Sequence, residues 1–309
     1  METRTIGSLT VSVVGLGCNN FGSRIGRAET AAVVGAALDA GITLFDTADM
    51  YGGAKSETYL GEALGARRDE IVLATKFGAP YEGHEGGAAP AYVRTAIEDS
   101  LTRLGTDRID LYQLHVPDTK TPIAETIGVL DELVAEGKVR EFGCSNFGEP
   151  LLEEAAAATP SDAPGFVSVQ NQYSILARTP ETDGVLDECE RTGMAFLPYF
   201  PLAKGLLSGK YRPGEPLPEG ARLTNLGDHA AADLSGERLA TVAALEGLAR
   251  RNDHSVLDLA IGWLLTRPAV ASVIAGATRP DQITANVAAG AWRPGDDVLA
   301  AVDVIAPRT

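Results

Sequence analysis

The chain has 309 residues, 45% of them hydrophobic and 22% charged, with mean hydropathy near zero, the profile of a globular protein large enough to bury a sizeable core. Lysine and arginine total 26 against 42 aspartates and glutamates, and the resulting formal charge of −16 disfavours nucleic acid and acidic membranes as partners. Cys18, Cys144 and Cys189 fit neither a disulfide framework nor zinc spacing, the start METRTIGSLT lacks a secretory signal, and no stretch has the apolar length of a membrane span, so no metal is expected and the cytoplasm is the expected location.

In chain order, Met1–Ser12 reads as a small hairpin with IGSL at its turn. Short apolar, β-branched runs then recur at Val13–Gly17, Ile42–Asp46, Ile71–Lys76, Ile109–His115, Val139–Ser145, Val167–Asn171, Ala195–Tyr199 and Val270–Ala275. Helical patterns fill the gaps. In 29–41 the stripe reads as Ala32, Gly35/Ala36 and Asp39/Ala40, with Gly41 as the stop. In 122–139, Pro122 opens a helix whose stripe is Ile123, Ile127, Leu130 and Val134, and Gly137 ends it. Ser255 and Asp258 form a capping-box pattern ahead of a helix that should stop before Pro268. The segment 201–234, with Pro213, Pro216 and Pro218, reads as a long loop of the kind that carries function.

Runs apolar on both faces and alternating with helices indicate parallel strands buried on both sides. Eight of them predict the α/β class: a closed (β/α)8 TIM barrel in one domain spanning 1–309, with the hairpin at its bottom and extra helices near the C-terminus. A doubly wound dinucleotide fold is the alternative. Its G-x-G-x-x-G fingerprint is matched only by GLGCNNFG (15–22), which has four residues between its second and third glycines instead of two.

The active site of such a barrel lies where strands end. Asp46 ends the second run, and Tyr51 follows in its loop. Lys76 ends the third run and His115 the fourth. Four ionisable groups converge on one rim. An ammonium beside a phenol stabilises the phenolate and lowers the tyrosine pKa, a carboxylate holds the lysine, and a histidine can hydrogen-bond a substrate oxygen. That set suits proton donation to a carbonyl oxygen by Tyr51. The carbon then needs a hydride, which side chains do not supply but a nicotinamide does. Ser145, Asn146 and Gln170 at later strand ends suit a carboxamide, and Tyr199 could stack on the ring. YFPLAKGLLSGKY (199–211), with Lys204 and Lys210, suits a pyrophosphate. Thr278 and Arg279 stand at the N-terminus of the final helix, an anion site that favours NADPH over NADH, with Gln282 and Asn286 on one helix face.

The stretches DTADMYGGAKSETYLGEAL, VLATKFG, DLYQLHVPD, GKVREFGCSNF, VQNQYS, YFPLAKGLLSGKY and IAGATRPDQITAN, in this order, resemble the aldo-keto reductases over nearly the full length, closest to the bacterial, potassium-channel-β-like branch. The resemblance implies an NADPH-binding barrel without a Rossmann motif and a catalytic tetrad of Asp46, Tyr51, Lys76 and His115. It implies that Ser145, Asn146 and Gln170 hold the carboxamide while Tyr199 stacks on the nicotinamide. Pro201, Leu202, Lys204, Gly205 and Lys210 would form the pyrophosphate strap with Arg222, and Gly276, Thr278, Arg279, Gln282 and Asn286 the adenosine 2′-phosphate end. Three positions depart from the family pattern: Phe200 replaces a serine, Ala285 a glutamate, and Val116 a tryptophan at the wall of the substrate pocket. The function so implied is reversible reduction of an aldehyde or ketone. A sensor or regulatory subunit that reads NADPH with little turnover is the alternative, and a Schiff-base aldolase using Lys76 is a third reading. The loops 18–26, 77–92 and 201–234 are expected to build the substrate pocket, and the oligomeric state is left open.

Overall fold

The computed structural model describes residues 1–308 apart from Glu82, Asp162 and Pro213; the last of these, named above in the long loop, lies outside the described residues. The N-terminal hairpin pairs β1 (Thr3–Ile6) with β2 (Leu9–Ser12) antiparallel, turning at Gly7, whose φ of 53° is left-handed. Eight parallel strands follow: β3 (Val14–Gly17), β4 (Leu44–Asp46), β5 (Val72–Phe77), β6 (Ile109–Leu114), β7 (Val139–Ser145), β8 (Ser168–Gln172), β9 (Ala195–Tyr199) and β10 (Val273–Gly276). Each pairs with its sequence neighbour, and β10 pairs with β3. The remaining seam is closed just ahead of β10, where the Phe196 N–H donates to the Ala269 carbonyl (2.8 Å) and the Ala271 N–H to the Phe196 carbonyl (3.0 Å). The result is the expected (β/α)8 barrel.

Burial on both sides explains the strand sequences. Every residue of β5 and β6 is buried, one face against the barrel interior and the other against the helices. The interior is sealed at the bottom by Ile6, Leu9 and Val11 of the hairpin, packed with Leu44, Val72, Ala74, Leu111 and Leu197. Glu141 of β7 accepts the Ser8 N–H at 2.8 Å and so fixes the hairpin's tip to the barrel.

The helices α1 (Arg27–Asp39), α2 (Lys55–Leu64), α3 (Pro90–Leu104), α4 (Ile123–Ala135), α5 (Glu149–Ala158) and α6 (Val185–Thr192) fill the connections between β3 and β9. Between β9 and β10 lie α7 (Arg222–Leu226), α8 (Gly236–Arg251) and α9 (Val256–Leu265), and α10 (Pro280–Ala289) and α11 (Asp296–Ile305) follow. The Ser255–Asp258 capping box forms as predicted. In α4, Ile127 and Leu130 are buried, with Ile123 and Val134 packed at the edge of the core.

Three readings need correction. The helix that Thr278 and Arg279 precede is not the final one, because α11 follows α10. The buried face of α1 is Thr30, Val33, Val34, Ala37 and Leu38, not the Ala32–Gly35/Ala36 stripe. With so many alanines, two faces offer similar hydropathy, and the valines and leucine decide because they bury more area. The last strand begins at Val273 and not at Val270, because residues 269–271 are engaged in closing the seam to Phe196. Among the described residues no helix is long and apolar enough to cross a membrane.

Candidate functional site

The C-terminal ends of the strands open onto a groove of about 690 Å³. At its floor Lys76, fully buried in β5, places its ammonium 2.7 Å from both oxygens of Asp46, the last residue of β4, and 2.8 Å from the Thr47 carbonyl. The Tyr51 hydroxyl lies 3.5 Å from the same nitrogen. The Tyr51 loop is held from several sides. The Ser56 N–H donates to the Tyr51 carbonyl (3.1 Å), and the Ser56 hydroxyl donates to the Cys18 carbonyl (2.9 Å) and lies 2.9 Å from Thr47 Oγ1. Gly52, at φ 62°, passes so close to the loop after β3 that a Cβ would stand 2.4 Å from the Phe21 carbonyl oxygen. That contact is the reason a glycine follows the tyrosine. His115, one residue beyond β6, meets the Tyr51 ring edge to face at 5.7 Å. The four residues read from three strand ends thus meet in one place.

Burial pulls the Lys76 ammonium down, but Asp46 and Tyr51 outweigh it, so its pKa is raised and the charge is kept. Burial and then Lys76 push His115 down to about 3, leaving a neutral imidazole whose Nδ1 is buried without a hydrogen-bond partner. For Tyr51 the sequence reading is corrected. Burial raises its pKa by more than Lys76 lowers it, so the phenol sits above its ordinary value. Desolvation depth is a property of the packed loop and is invisible in the residue types. A raised pKa keeps the hydroxyl protonated at neutral pH, as a donor requires.

Asp46 is also contacted by the side-chain amides of Gln170 (3.0 Å) and Gln113 (3.3 Å). Gln113 was missed, although a glutamine in an apolar strand, two residues before His115 and so on the same strand face, was a readable signal. The Ser145 hydroxyl donates to the Gln170 carbonyl (2.7 Å). Asn146, in a left-handed conformation at φ 62°, donates to the His115 carbonyl (2.9 Å) and accepts from the Tyr199 hydroxyl (2.8 Å).

From this floor the groove runs along Pro201, Leu202, Lys204, Gly205, Lys210 and Arg222 to Gly276, Thr278, Arg279, Gln282 and Asn286. Ala203, Lys204 and Gly205 have consecutive φ values of 46°, 57° and 102°. The run closes on itself as a tight turn: the Ala203 N–H donates to the Phe200 carbonyl and the Gly205 N–H to the Leu202 carbonyl, both at 2.8 Å. In a chain of charge −16, Lys210 is nonetheless pushed down by burial and then by Arg24, Arg279 and Arg222. Arg222 is likewise lowered by burial and Arg24. No carboxylate of the described residues relieves Lys210 or Arg222, so the cluster fits a polyanionic ligand with the phosphates of a dinucleotide.

Other expectations change in detail. Lys204 pairs with Asp233 at 2.8 Å, and Arg279 pairs with Asp281 at 3.0 Å. The Thr278 N–H donates to the Gln282 side chain at 2.7 Å, which occupies one donor of the α10 N-terminus. Of the three loops expected to build the pocket, 77–92 contributes no lining residue among those described; His84 there stacks on Tyr81 at 4.6 Å. Arg24 was missed. Its guanidinium reaches the Gly220 carbonyl (2.7 Å), and Arg222 reaches Asn20 (3.2 Å), so the loop after β3 and the 201–234 segment are joined across the groove. An exposed arginine in a loop carries no signal of this in one sequence.

The model of the Aldo/keto reductase family matches residues 13–306. The chain belongs to this family. Among relatives of this aldo/keto reductase, the uncharacterized oxidoreductase YqkF of Bacillus subtilis is 34% identical over 98% of this chain and 95% of its own length. A probable voltage-gated potassium channel subunit beta of Oryza sativa is 31% identical over 87% of this chain and 84% of its own. The holo form of aldo-keto reductase AKR11C1 from Bacillus halodurans superposes with a TM-score of 0.81 at 33% identity, covering 100% of this chain and 97% of that one.

Proposed function

We propose that this aldo/keto reductase uses NADPH, in preference to NADH, to reduce a small-molecule aldehyde or ketone reversibly to the alcohol. One observation carries the reading: a fully buried Lys76 ammonium, held by both oxygens of Asp46, stands 3.5 Å from the Tyr51 hydroxyl at the end of a cation-lined groove.

The chemistry a nicotinamide held in this groove would supply is a hydride for the carbonyl carbon. Tyr51 keeps its proton until negative charge develops on the substrate oxygen, then donates it there. Lys76 stabilises the phenolate that remains, and Asp46 keeps Lys76 charged and aimed. The neutral His115 orients the substrate oxygen with a ring N–H. Ser145, Asn146 and Gln170 would hold the carboxamide, with the Tyr199 ring against the nicotinamide. Lys210 and Arg222, with the left-handed strap at 203–205, would take the pyrophosphate. Gly276, Thr278, Arg279, Gln282 and Asn286 would take the adenosine 2′-phosphate end.

The printed name of the rice relative favours a second reading, a subunit that senses NADPH with little turnover. A panel of aldehydes and ketones, with NADPH and NADH depletion as the readout, separates the two. We expect consumption of at least one carbonyl compound, with kcat/KM for NADPH at least roughly tenfold above that for NADH, as loss of one charge-assisted phosphate contact would dictate. Tight NADPH binding without turnover of any compound would instead support the sensor.

A further inference from the structure

Asp49 lies two residues before Tyr51 and is 2% exposed. Its N–H donates to the Lys76 carbonyl at 3.1 Å, and the Thr47 N–H donates to the Ala74 carbonyl at 2.9 Å. The 47–51 segment is therefore fastened along β5 at the level of the lysine that serves Tyr51. The Oδ1 of Asp49 is buried with no hydrogen-bond partner, and so is the Tyr112 hydroxyl.

The charged and titratable groups around Asp49 are Lys76 on β5, Glu57 on α2, Arg103 and Tyr92 on α3, Tyr112 on β6, and Tyr81 in the following loop. Both cations are engaged elsewhere. Arg103 Nε lies 2.6 Å from the fully buried Glu57 carboxylate, which also accepts from Thr75 at 2.6 Å. Lys76 lies 2.7 Å from Asp46. Asp46, Glu57 and Asp49 are three buried carboxyl groups served by two cations. A third carboxylate with one oxygen buried and unpartnered is costly even with the Met50 N–H beside it, and the group escapes that cost by binding a proton. Consistent with this, burial and then Glu57 push Asp49 up to about 7.

We propose that Asp49 is a positioning residue: protonated, it lets the Tyr51 segment pack against Lys76, and its ionisation above neutral pH disables the proton donor. The proposal rests on the role given to Tyr51 above. An ionised Asp49 would repel Glu57 and draw on the Lys76 field that otherwise supports the Tyr51 phenolate. Tyr51 and Lys76 are shifted up and His115 down to about 3, so none of the three accounts for an activity change near pH 7. The sign for stability follows from the raised carboxyl. The folded chain holds this proton more tightly than the unfolded chain does. The contribution is present at low pH and is lost as pH rises from the ordinary aspartate range to about 7.

The test compares wild type with Asp49→Asn, using 4-nitrobenzaldehyde and saturating NADPH from pH 6 to pH 9, with thermal unfolding across pH 4 to 8. Wild-type kcat should fall roughly tenfold or more on one ionisation near neutrality, and the variant's less than about twofold. The variant's Tm should gain on that of wild type by several degrees as pH rises. Superimposable kcat profiles, or a Tm difference independent of pH, would overturn the proposal. If neither protein turns over the aldehyde, the kcat comparison uses a compound consumed in the carbonyl panel; if none is consumed, the reductase reading fails while the Tm comparison still decides whether Asp49 holds the proton. If the variant does not fold, carbon-13 NMR of aspartate-labelled wild type replaces it: a carboxyl titrating near neutrality supports the proposal, and none titrating above about pH 5 overturns it.

Discussion

The floor and the strap of the groove are built on opposite plans. At the floor most polar groups are engaged by another part of the chain, with His115 Nδ1 and Gln113 Oε1 as exceptions: Lys76 by Asp46 and Thr47, Asp46 by Gln113 and Gln170, Asn146 by His115 and Tyr199. Strands carry most of these groups, so their positions are fixed by the barrel. Along the strap, cations face one another. Lys210 and Arg222 have no carboxylate partner among the described residues, and the backbone of 203–205 is left-handed. A site complete in itself suits chemistry that must be preorganised. A site with unrelieved charge of one sign is completed by a ligand of the other.

Variants on the two sides should therefore fail differently. Lys76→Met breaks the floor most severely. It strands the Asp46 carboxylate in the interior, so we expect about 3–5 kcal/mol of lost stability in urea unfolding. Turnover should fall at the same time by roughly a thousandfold or more, because the phenolate loses its counter-charge. Lys210→Ala acts on the strap. It should raise the NADPH dissociation constant about tenfold, measured by fluorescence titration, with stability unchanged or slightly improved because like charges are relieved. Arg279→Ala should cost up to about tenfold on NADPH and nothing on NADH, since it is the one charged residue assigned to the 2′-phosphate end, with its exposure and its pairing to Asp281 limiting the loss. If Lys210→Ala unfolded the chain while Lys76→Met did not, the contrast between floor and strap would be reversed.

The division also marks how far the sequence could be read. Strand ends are legible because a buried apolar run has no reason to close on Asp46 or Lys76 except a local need for charge. That signal brings together residues from three different strand ends. The partners of the strap were hidden because they are tertiary. Asp233 claims Lys204, and Arg24 reaches Gly220, across segments whose spacing reveals nothing of their contact. Burial depth was hidden too. The residue types around Tyr51 predicted an acidic phenol, and packing made it a weaker acid. Asp49 went unnoticed for a related reason: in DTADMYGG it looks like a turn residue, and only the count of buried carboxyls against buried cations gives it a proton.

The most direct measurement is steady-state reduction of 4-nitrobenzaldehyde by Tyr51→Phe, alongside its NADPH affinity by fluorescence. If the Tyr51 hydroxyl is the proton donor, turnover should fall by roughly a hundredfold to ten-thousandfold while the NADPH dissociation constant stays within about threefold of wild type. Turnover within a few-fold of wild type would contradict the assignment.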